Sequence, residues 1–278
     1  MRIGSMRIGI VSMPKPQPSG ASTVERIGHV AREVERLGFA GLWTTDAIGR
    51  GWPTCDPLIW LASAIPHTRT IEIGTCVLQV PIRHPVELAH RVQTLNMLSN
   101  GRLRLGVGTG STKADFDVVQ ADYEARFKTL PASLEIMQRV FAGKPVHGPV
   151  VSVWPNTEGG PPMLIGAWRS PRWIDLAATK LQGWIASGIH TKHEDLEIGL
   201  KMFREAGGKR AVVANIFSDF RAKPELTPMI EHARISLICT PEEARKRLKR
   251  LADMGVDDAL LVCPFDTPEQ LETMRSLA

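Results

Sequence analysis

The 278-residue chain contains few cysteines, and their spacing argues against two kinds of site. The four are Cys55, Cys76, Cys239 and Cys263. None belongs to a CxxC pair, and no Cys/His cluster has the spacing of a zinc site. We therefore expect reduced thiols in a cytoplasmic protein that holds no metal.

Long apolar runs and dense basic runs are also missing. No stretch is apolar for long enough to span a bilayer, and the start lacks a secretory apolar region. The net charge is +5, yet the most basic stretch, EEARKRLKRL at 242–251, carries apolar residues at helical spacing. That pattern is typical of a solvated helix face. We expect neither a membrane nor a nucleic acid as a partner.

A regular alternation of strand and helix patterns is present instead. Eight short apolar segments predict strands, and a helical pattern follows each of them; the segments are 7–13, 40–46, 71–81, 102–108, 162–166, 183–187, 210–216 and 257–263. This α/β alternation predicts a (β/α)8 TIM barrel with short excursions between strands. A doubly wound sheet is the alternative, but GVGTGS at 106–111 lacks the GxGxxG register of a dinucleotide site.

Local signals mark the ends of several elements. Asp56 and Thr240, each followed by proline, are predicted helix N-caps. The helical pattern over 113–143 is expected to break or kink near Pro131. The Pro- and Gly-rich segment 144–162 predicts an excursion, with a short hairpin as one possibility.

The opening MRIGSMRIG repeats itself. Either Met6 is the natural start or the first five residues were added in cloning. We therefore take one domain over residues 6–278 and set residues 1–5 aside.

The third predicted strand, IEIGTCVLQVP at 71–81, carries small side chains in its middle. Gly74, Thr75 and Cys76 interrupt a run of larger apolar residues. Glycine within a strand is typical of a bulge, or of a close approach by something other than a side chain.

Chemistry in a TIM barrel gathers at the carboxyl ends of the strands. Position alone therefore selects candidate residues; they are Met13, Thr45, Asp46, 76–83, 108–111, 166–170, 187–190, Asn215 and 263–266.

Three segments together resemble the bacterial luciferase-like flavin oxidoreductases; they are GFAGLWTTDA, IEIGTCVLQVPIRHPVELAHRVQTLNMLSNGRLRLGVGTGS and PPMLIGAWRSPRWIDLAATKLQGWIASG. The middle segment is the most specific, because strand, proline, His-Pro, helix and glycine-rich strand end occur in a fixed order. The resemblance implies a luciferase-like barrel that binds FMN or the deazaflavin F420. It also implies a non-proline cis peptide against the flavin ring, at Cys76–Val77 here.

The resemblance further implies two phosphate-contacting turns. In LIGAWRSPRW, backbone amides precede a helix, and Arg169 and Ser170 add a charge and a hydroxyl. The alternative is that Ser170 only caps the helix and contacts no ligand. Trp168 stands where the family usually has small residues, and its indole either lines a substrate cavity or covers the ring. In GTGS, tight packing is the alternative to ligand contact. The implied cofactor contacts are Thr45, Cys76, Val77, Gly108, Thr109, Gly110, Ser111, Gly166, Ala167, Trp168, Arg169 and Ser170.

Candidate catalytic residues flank the second and third strands. His84 matches the family's His-Pro and is a candidate proton donor, with helix capping as the alternative. Asp46 either hydrogen-bonds substrate or ring, or caps its loop. F420-using relatives often place histidine after this acid, and Ala47 stands there, which favours FMN. His190 is a weaker candidate, and Arg83 is expected to face solvent rather than hold an anionic substrate.

Five of the seven tryptophans can be assigned to the core or to the mouth of the barrel. Trp43, Trp60 and Trp184 lie in apolar patterns and are predicted core residues. Trp52 and Trp168 lie in loops at the strand ends, where indoles suit an apolar substrate cavity.

These observations predict a flavin-dependent monooxygenase acting on a small organic substrate, with reduced flavin supplied by a separate reductase. An F420-dependent hydride transferase and a non-catalytic flavin-binding relative are alternatives. A barrel hydrolase without flavin would need more carboxylates at strand ends than Asp46 and Asp266. The resemblance implies a homodimer, and the loops expected to decide the substrate, 46–56 and 144–161, contain no motif.

Overall fold

Eight parallel strands close into a barrel in the computed structural model, which describes residues 1–13, 23–221, 223–224, 227–262 and 267–278. The strands are β1 (Arg2–Ile3), β2 (Met6–Val11), β3 (Gly41–Thr44), β4 (Glu72–Gln79), β5 (Leu103–Gly108), β6 (Met163–Gly166), β7 (Gly183–Ser187), β8 (Ala211–Asp219), β9 (Ser236–Ile238) and β10 (Asp258–Val262). The helices are α1 (Thr23–Arg36), α2 (Pro57–Ala64), α3 (Pro85–Leu98), α4 (Lys113–Asp117), α5 (Arg126–Phe141), α6 (Pro171–Thr179), α7 (His193–Glu205), α8 (Pro228–Glu231), α9 (Pro241–Asp253) and α10 (Pro268–Arg275).

The barrel order confirms the predicted (β/α)8 topology. It runs β2–β3–β4–β5–β6–β7–β8–β10 and closes because β2 pairs with both β10 and β3, with Val11 opposite Val262 and Trp43. Four steps separate β4 from β8 in either direction, so these two strands lie on opposite sides of the barrel.

Trp43 explains the glycine in the third barrel strand. The indole is fully buried in the lumen, and a Cβ added at Gly74 would lie 2.3 Å from its Cε3 atom. Gly74 therefore makes room for a core side chain, and the small residue at this position does not indicate a ligand. Trp60 and Trp184 are buried as well, which confirms all three predicted core tryptophans.

A cluster of five charged side chains closes the amino-terminal end of the lumen. Its members are Arg7, Glu72, Arg104, Arg210 and Asp258, each at or beside the first residues of a strand. Arg210 donates to Glu72 at 2.6 Å and to Asp258 at 3.0 Å, and Arg7 pairs with Asp258 at 2.7 Å. We call this group the basal ion cluster.

The predicted caps form, whereas the predicted break near Pro131 was misplaced. The Asp56 carboxylate accepts from the backbone N–H groups of Leu58 and Ile59, and Thr240 accepts from Glu243. The break within 113–143 falls between α4 and α5, where Gln120 adopts a φ of 57°, and Pro131 lies inside α5.

The first five residues, set aside in the sequence, take part in the fold. β1 pairs antiparallel with β2, with Arg2 opposite Arg7, and the Met1 amine donates to the Gly38 carbonyl. The sheet therefore begins before Met6.

Two excursions differ from the predictions. Segment 144–162 contains no hairpin, and it joins the end of α5 to the start of β6, so it approaches the barrel from the amino-terminal end of the strands. The prediction that segment 144–161 helps to decide the substrate is therefore wrong, because substrates are expected at the opposite end of the barrel. The strand predicted over 210–216 extends to Asp219 in β8, and β9 then pairs with that extension. Residues 263–266, including Cys263 and Asp266, lie outside the described residues.

In the ranges that the structure describes, no helix is long and apolar enough to cross a membrane.

Candidate active site

A bulge on β4 shapes the floor of the barrel mouth. Thr75 pairs with Leu105 and Leu78 with Val107, so β4 carries one residue more than β5 over this stretch. The extra length falls at Cys76–Val77, and the peptide bond between them is cis, as the resemblance implied.

The Val77 side chain occupies space that two glycines leave free. A Cβ at Gly108 would lie 2.6 Å from Val77 Cγ2, and one at Gly166 would lie 3.1 Å from Val77 Cγ1. Val77 is half-buried between the carboxyl ends of β4, β5 and β6. We call Val77, Gly108 and Gly166 the floor; it is uncharged and carries a single small side chain.

Cys76 beside the floor is a packing residue. Its Sγ lies 3.6 Å from the Thr44 carbonyl oxygen, and it is buried. Burial raises the pKa of the Cys76 thiol far above its ordinary value, so the thiol stays protonated and is not a nucleophile. Thr45, the next residue after β3, is half-buried at the rim.

The turn between β6 and α6 is hydrogen-bonded to β7, and its polar side chains are left free by the other described residues. Ala167 donates its N–H to Ile185, and Trp184 Nε1 donates to the Ala167 carbonyl at 2.7 Å. Ser170 is the N-cap of α6, but its hydroxyl makes no capping hydrogen bond. Arg169 is exposed, and neither it nor the Ser170 hydroxyl bonds to another described side chain or backbone group. The alternative that Ser170 serves only as an N-cap therefore does not account for its hydroxyl, which bonds to no backbone N–H of α6.

The GTGS loop has a packing reason for one of its glycines. Gly110 has a φ of 80°, and a Cβ there would lie 2.6 Å from Gln79 Oε1 and 2.8 Å from Phe116 Cε2. Thr109 is half-buried and Ser111 exposed, and the Ser111 carbonyl accepts from Tyr123 at 3.1 Å. Gly110 is thus required by the fold, while the two hydroxyls lie on the rim.

Asp46 forms a buried ion pair with Arg83. Arg83 Nη1 lies 2.6 Å from Asp46 Oδ2 and Nη2 lies 3.0 Å from Oδ1, and the Gln79 backbone N–H donates to Oδ2 at 2.8 Å. The expectation that Arg83 faces solvent is wrong, because only 12% of its side chain is exposed.

Asp115 forms a second ion pair that is linked to the first. Arg50 donates to both oxygens of Asp115, with the shortest contact 2.6 Å, and the N–H groups of Ile48 and Gly49 donate to Oδ1. Gln79 Nε2 donates to Asp115 Oδ2 at 3.0 Å and to the Asp46 carbonyl at 3.2 Å.

Hydrogen bonding keeps Asp115 ionised. Burial alone raises the pKa of this carboxyl, but the hydrogen bonds from Arg50, Gly49, Ile48 and Gln79 outweigh burial and lower the pKa to about 2. We call Asp46, Arg50, Gln79, Arg83 and Asp115 the rim network. Sequence reasoning missed it because the two carboxylates bind network partners that are 33 to 65 positions away.

His84 occupies the position that the capping alternative describes. It is the exposed N-cap of α3, and its Nδ1 accepts from the Glu87 N–H at 3.5 Å. The proton-donor role of His84 stays a prediction.

Trp168 and His190 form a stacked pair above the mouth. Their ring centroids are 4.0 Å apart at an interplanar angle of 29°. Thr191 Oγ1 donates to the Trp168 carbonyl at 3.1 Å, which ties the two strand ends together. Burial lowers the pKa of His190 from its ordinary value, so its imidazole is neutral at pH 7.

Comparison with known proteins gives a family-level match. The sequence profile described as luciferase-like monooxygenase matches residues 6–218. The 4-hydroxyprotoasukamycin monooxygenase of Streptomyces nodosus subsp. asukaensis is 30% identical over 159 residues, which is 53% of this chain and 43% of that protein. The chain spans about half the length of the curated relatives it matches.

Solved structures show the same fold at low identity. Monooxygenase RslO1 from Streptomyces bottropensis superposes with a TM-score of 0.83 at 19% identity, covering 98% of both chains. A coenzyme F420-dependent tetrahydromethanopterin reductase from Methanopyrus kandleri superposes with a TM-score of 0.77 at 17% identity, again over 98% of both chains.

Proposed function

The chain belongs to the luciferase-like monooxygenase family, and from this premise we propose that it is a flavin-dependent oxidoreductase. Its reaction is the monooxygenation of a small organic substrate with reduced FMN. The observation that carries the proposal is the floor, where Val77 fills the space beside Gly108 and Gly166 at the mouth of the barrel.

The floor fits a flat, uncharged ring system. It has no charged side chain, and a larger residue at Gly108 or Gly166 would displace Val77. The turn at Gly166–Ser170 fits the anionic tail, because Arg169 and the Ser170 hydroxyl have no other described partner and α6 begins there. Thr109 and Ser111 supply further hydroxyls for the tail.

A bound flavin supplies the electron chemistry, and the protein supplies position and shielding. We assign Trp168 to covering the mouth, where the stack with His190 holds its indole and the hydrogen bond from Thr191 holds its backbone carbonyl. We assign Asp46 to holding the rim rather than to proton transfer, because both of its oxygens already accept hydrogen bonds. His84 remains the proposed proton donor from the α3 side.

FMN is the proposed cofactor because Ala47 follows Asp46, where F420-using relatives often carry histidine. One protein of similar fold is described in complex with FMN. F420-dependent hydride transfer is the second candidate, supported by the F420-dependent reductase among the similar structures.

We also propose a homodimer and a separate flavin reductase as partners. Ile59 on α2 and Leu98 on α3 expose 65% and 52% of their surface on neighbouring helices, which supports burial against a second copy. The free thiols of Cys55, Cys76 and Cys239 suit the reducing cytoplasm. Light scattering of the purified protein tests the dimer, with a monomeric mass as the contradicting result.

Titration with FMN, riboflavin and F420 tests the cofactor assignment. We expect FMN to bind in the micromolar range and at least about tenfold more tightly than riboflavin, which lacks the phosphate. Arg169→Ala should reduce this preference. Arg172→Ala is the matched control, since Arg172 lies in the first turn of α6 but packs on Trp173. If the wild type binds none of the three ligands, the proposal fails.

Turnover separates the monooxygenase from the two alternatives. Reduced FMN, oxygen labelled with ¹⁸O and a panel of small organic substrates should give a product that carries the label. Label-free reduction with F420 would favour hydride transfer, and tight binding without any turnover would favour the non-catalytic relative.

A further inference from the structure

Asn215 has an unusual backbone for a strand residue. Five non-glycine residues of the described ranges have positive φ, and four of them, Asn100, Gln120, His147 and Asn156, lie in turns or bends. Asn215, with φ of 58°, lies inside β8. Non-glycine residues held in this conformation cluster at functional sites, so Asn215 calls for an explanation.

A second bulge causes this geometry. Ala259 on β10 pairs with Val213, and Leu261 pairs with Ile216, so Ala214 and Asn215 together oppose one residue. Bulges at the rims of barrels and next to active sites re-aim a side chain. Gly188 fixes the backbone here, since a Cβ on it would lie 2.9 Å from the Asn215 carbonyl oxygen.

The neighbours of Asn215 indicate whether its exposed surface faces the helices or the mouth of the barrel. Val213 and Ile216 are buried in the outer layer beneath the helices, while Ala214 and Phe217 belong to the lumen cluster. Its neighbours on both faces of β8 are sealed from solvent, whereas Asn215 is half-buried. Because Ala214 pairs with Ser187, the last residue of β7, Asn215 lies level with the carboxyl end of that strand, and we infer that its accessible surface faces the mouth. Its carboxamide makes no hydrogen bond to another described residue.

The position of Asn215 relative to the floor suggests its partner. β8 lies opposite β4, so Asn215 lies across the mouth from Val77. We propose that the Asn215 carboxamide binds the imide edge of the flavin ring, donating to a ring carbonyl and accepting from the ring N–H. This inference rests on the proposed function.

The chemistry of the two groups is complementary. A carboxamide carries a donor and an acceptor side by side, and so does the imide edge, which FMN and F420 share. The opposite, hydrocarbon edge of a flavin offers neither group. Asn215 thus selects the direction in which the ring lies over the floor and acts as an orienting residue.

Ring fragments without a phosphate tail give the sharpest test. Lumiflavin keeps the imide N–H, and 3-methyllumiflavin replaces it with a methyl group. We expect the wild type to prefer lumiflavin by about tenfold, in line with the loss of the one hydrogen bond that the ring N–H donates. Asn215→Gly keeps the left-handed backbone without strain, so it should remove the preference and weaken lumiflavin binding without unfolding the bulge.

A matched control separates side chain from backbone. Asn100→Gly makes the same change at an exposed left-handed asparagine between α3 and β5, at the other end of the barrel, and should leave both affinities unchanged. Asn215→Asp keeps one acceptor but no donor and should give an intermediate lumiflavin affinity.

The outcomes distinguish this inference from the proposed function. If the wild type binds FMN but Asn215→Gly retains the wild-type preference between the two fragments, Asn215 does not contact the imide edge and only this inference is overturned. If the wild type binds neither FMN nor F420, the proposed function and the inference both fail.

Discussion

Arg83 binds both carboxylate oxygens of Asp46, through contacts of 2.6 Å and 3.0 Å. Almost all of the Asp46 side chain is buried, and Arg83 also donates to the Gln79 carbonyl at 2.9 Å. One guanidinium therefore joins the loop after β3 to the end of β4.

Removing Arg83 should destabilise the fold strongly. Arg83→Met leaves the Asp46 carboxylate buried without its counter-charge, and we expect the free energy of unfolding to fall by about 3–5 kcal/mol. Urea denaturation measures the change. The double variant Arg83→Met/Asp46→Leu should recover much of the loss because no unpaired charge remains. Equal stability of the two variants would contradict the pairing.

Asp115 should make stability depend on pH in the acid range. Its folded-state pKa is lowered to about 2, below the ordinary value of 3.8. A depressed pKa contributes stability that is fully present above the unfolded-state value and is lost as pH falls toward the folded-state value. The contribution is roughly 2 kcal/mol. Denaturation of wild type and Asp115→Asn between pH 5 and pH 2 measures it, and parallel pH profiles would refute it.

The basal ion cluster should support stability without affecting ligand binding. Glu72 takes hydrogen bonds from Arg104 and Arg210, and Glu72→Gln should lower the free energy of unfolding by about 3 kcal/mol. FMN affinity should stay unchanged, because the cluster lies at the end of the barrel away from the floor. Glu205→Gln, at an exposed and weak pair, is the control and should change neither quantity.

The floor can be tested by adding one carbon atom. Gly108→Ala places a Cβ only 2.6 Å from Val77 Cγ2, so the valine must move and ring binding should weaken by about tenfold or more. Gly108→Ala combined with Val77→Ala should restore part of the affinity because the clash disappears. FMN titration by fluorescence quenching gives the affinities. Undiminished binding to the single variant would show that the ring lies elsewhere.

Features set by neighbouring residues were predictable from the sequence. Asp56 and Thr240 cap helices because the amides they bind are two or three positions away. The eight barrel strands were predictable because their apolar runs are separated by helical patterns. The cis bond at Cys76–Val77 was implied by the family resemblance and not by local sequence.

Features set by distant contacts were not predictable in the same way. The interruption at Gly74 was visible, but its cause is the indole of Trp43 on the adjacent strand β3. Arg83 looked like a surface residue because its partner lies 37 positions earlier. The left-handed backbone of Asn215 arises from strand registers that no local pattern encodes.

The basal ion cluster and Trp43 together plug one end of the lumen. A ligand that reaches or leaves the floor must therefore pass through the mouth, beneath the stacked Trp168 and His190. A molecule resting on Val77 has to arrive before one that settles above it, and it has to depart afterwards. If the proposed cofactor rests on the floor, we expect it to bind before the substrate and to leave after it, and steady-state inhibition patterns test this order.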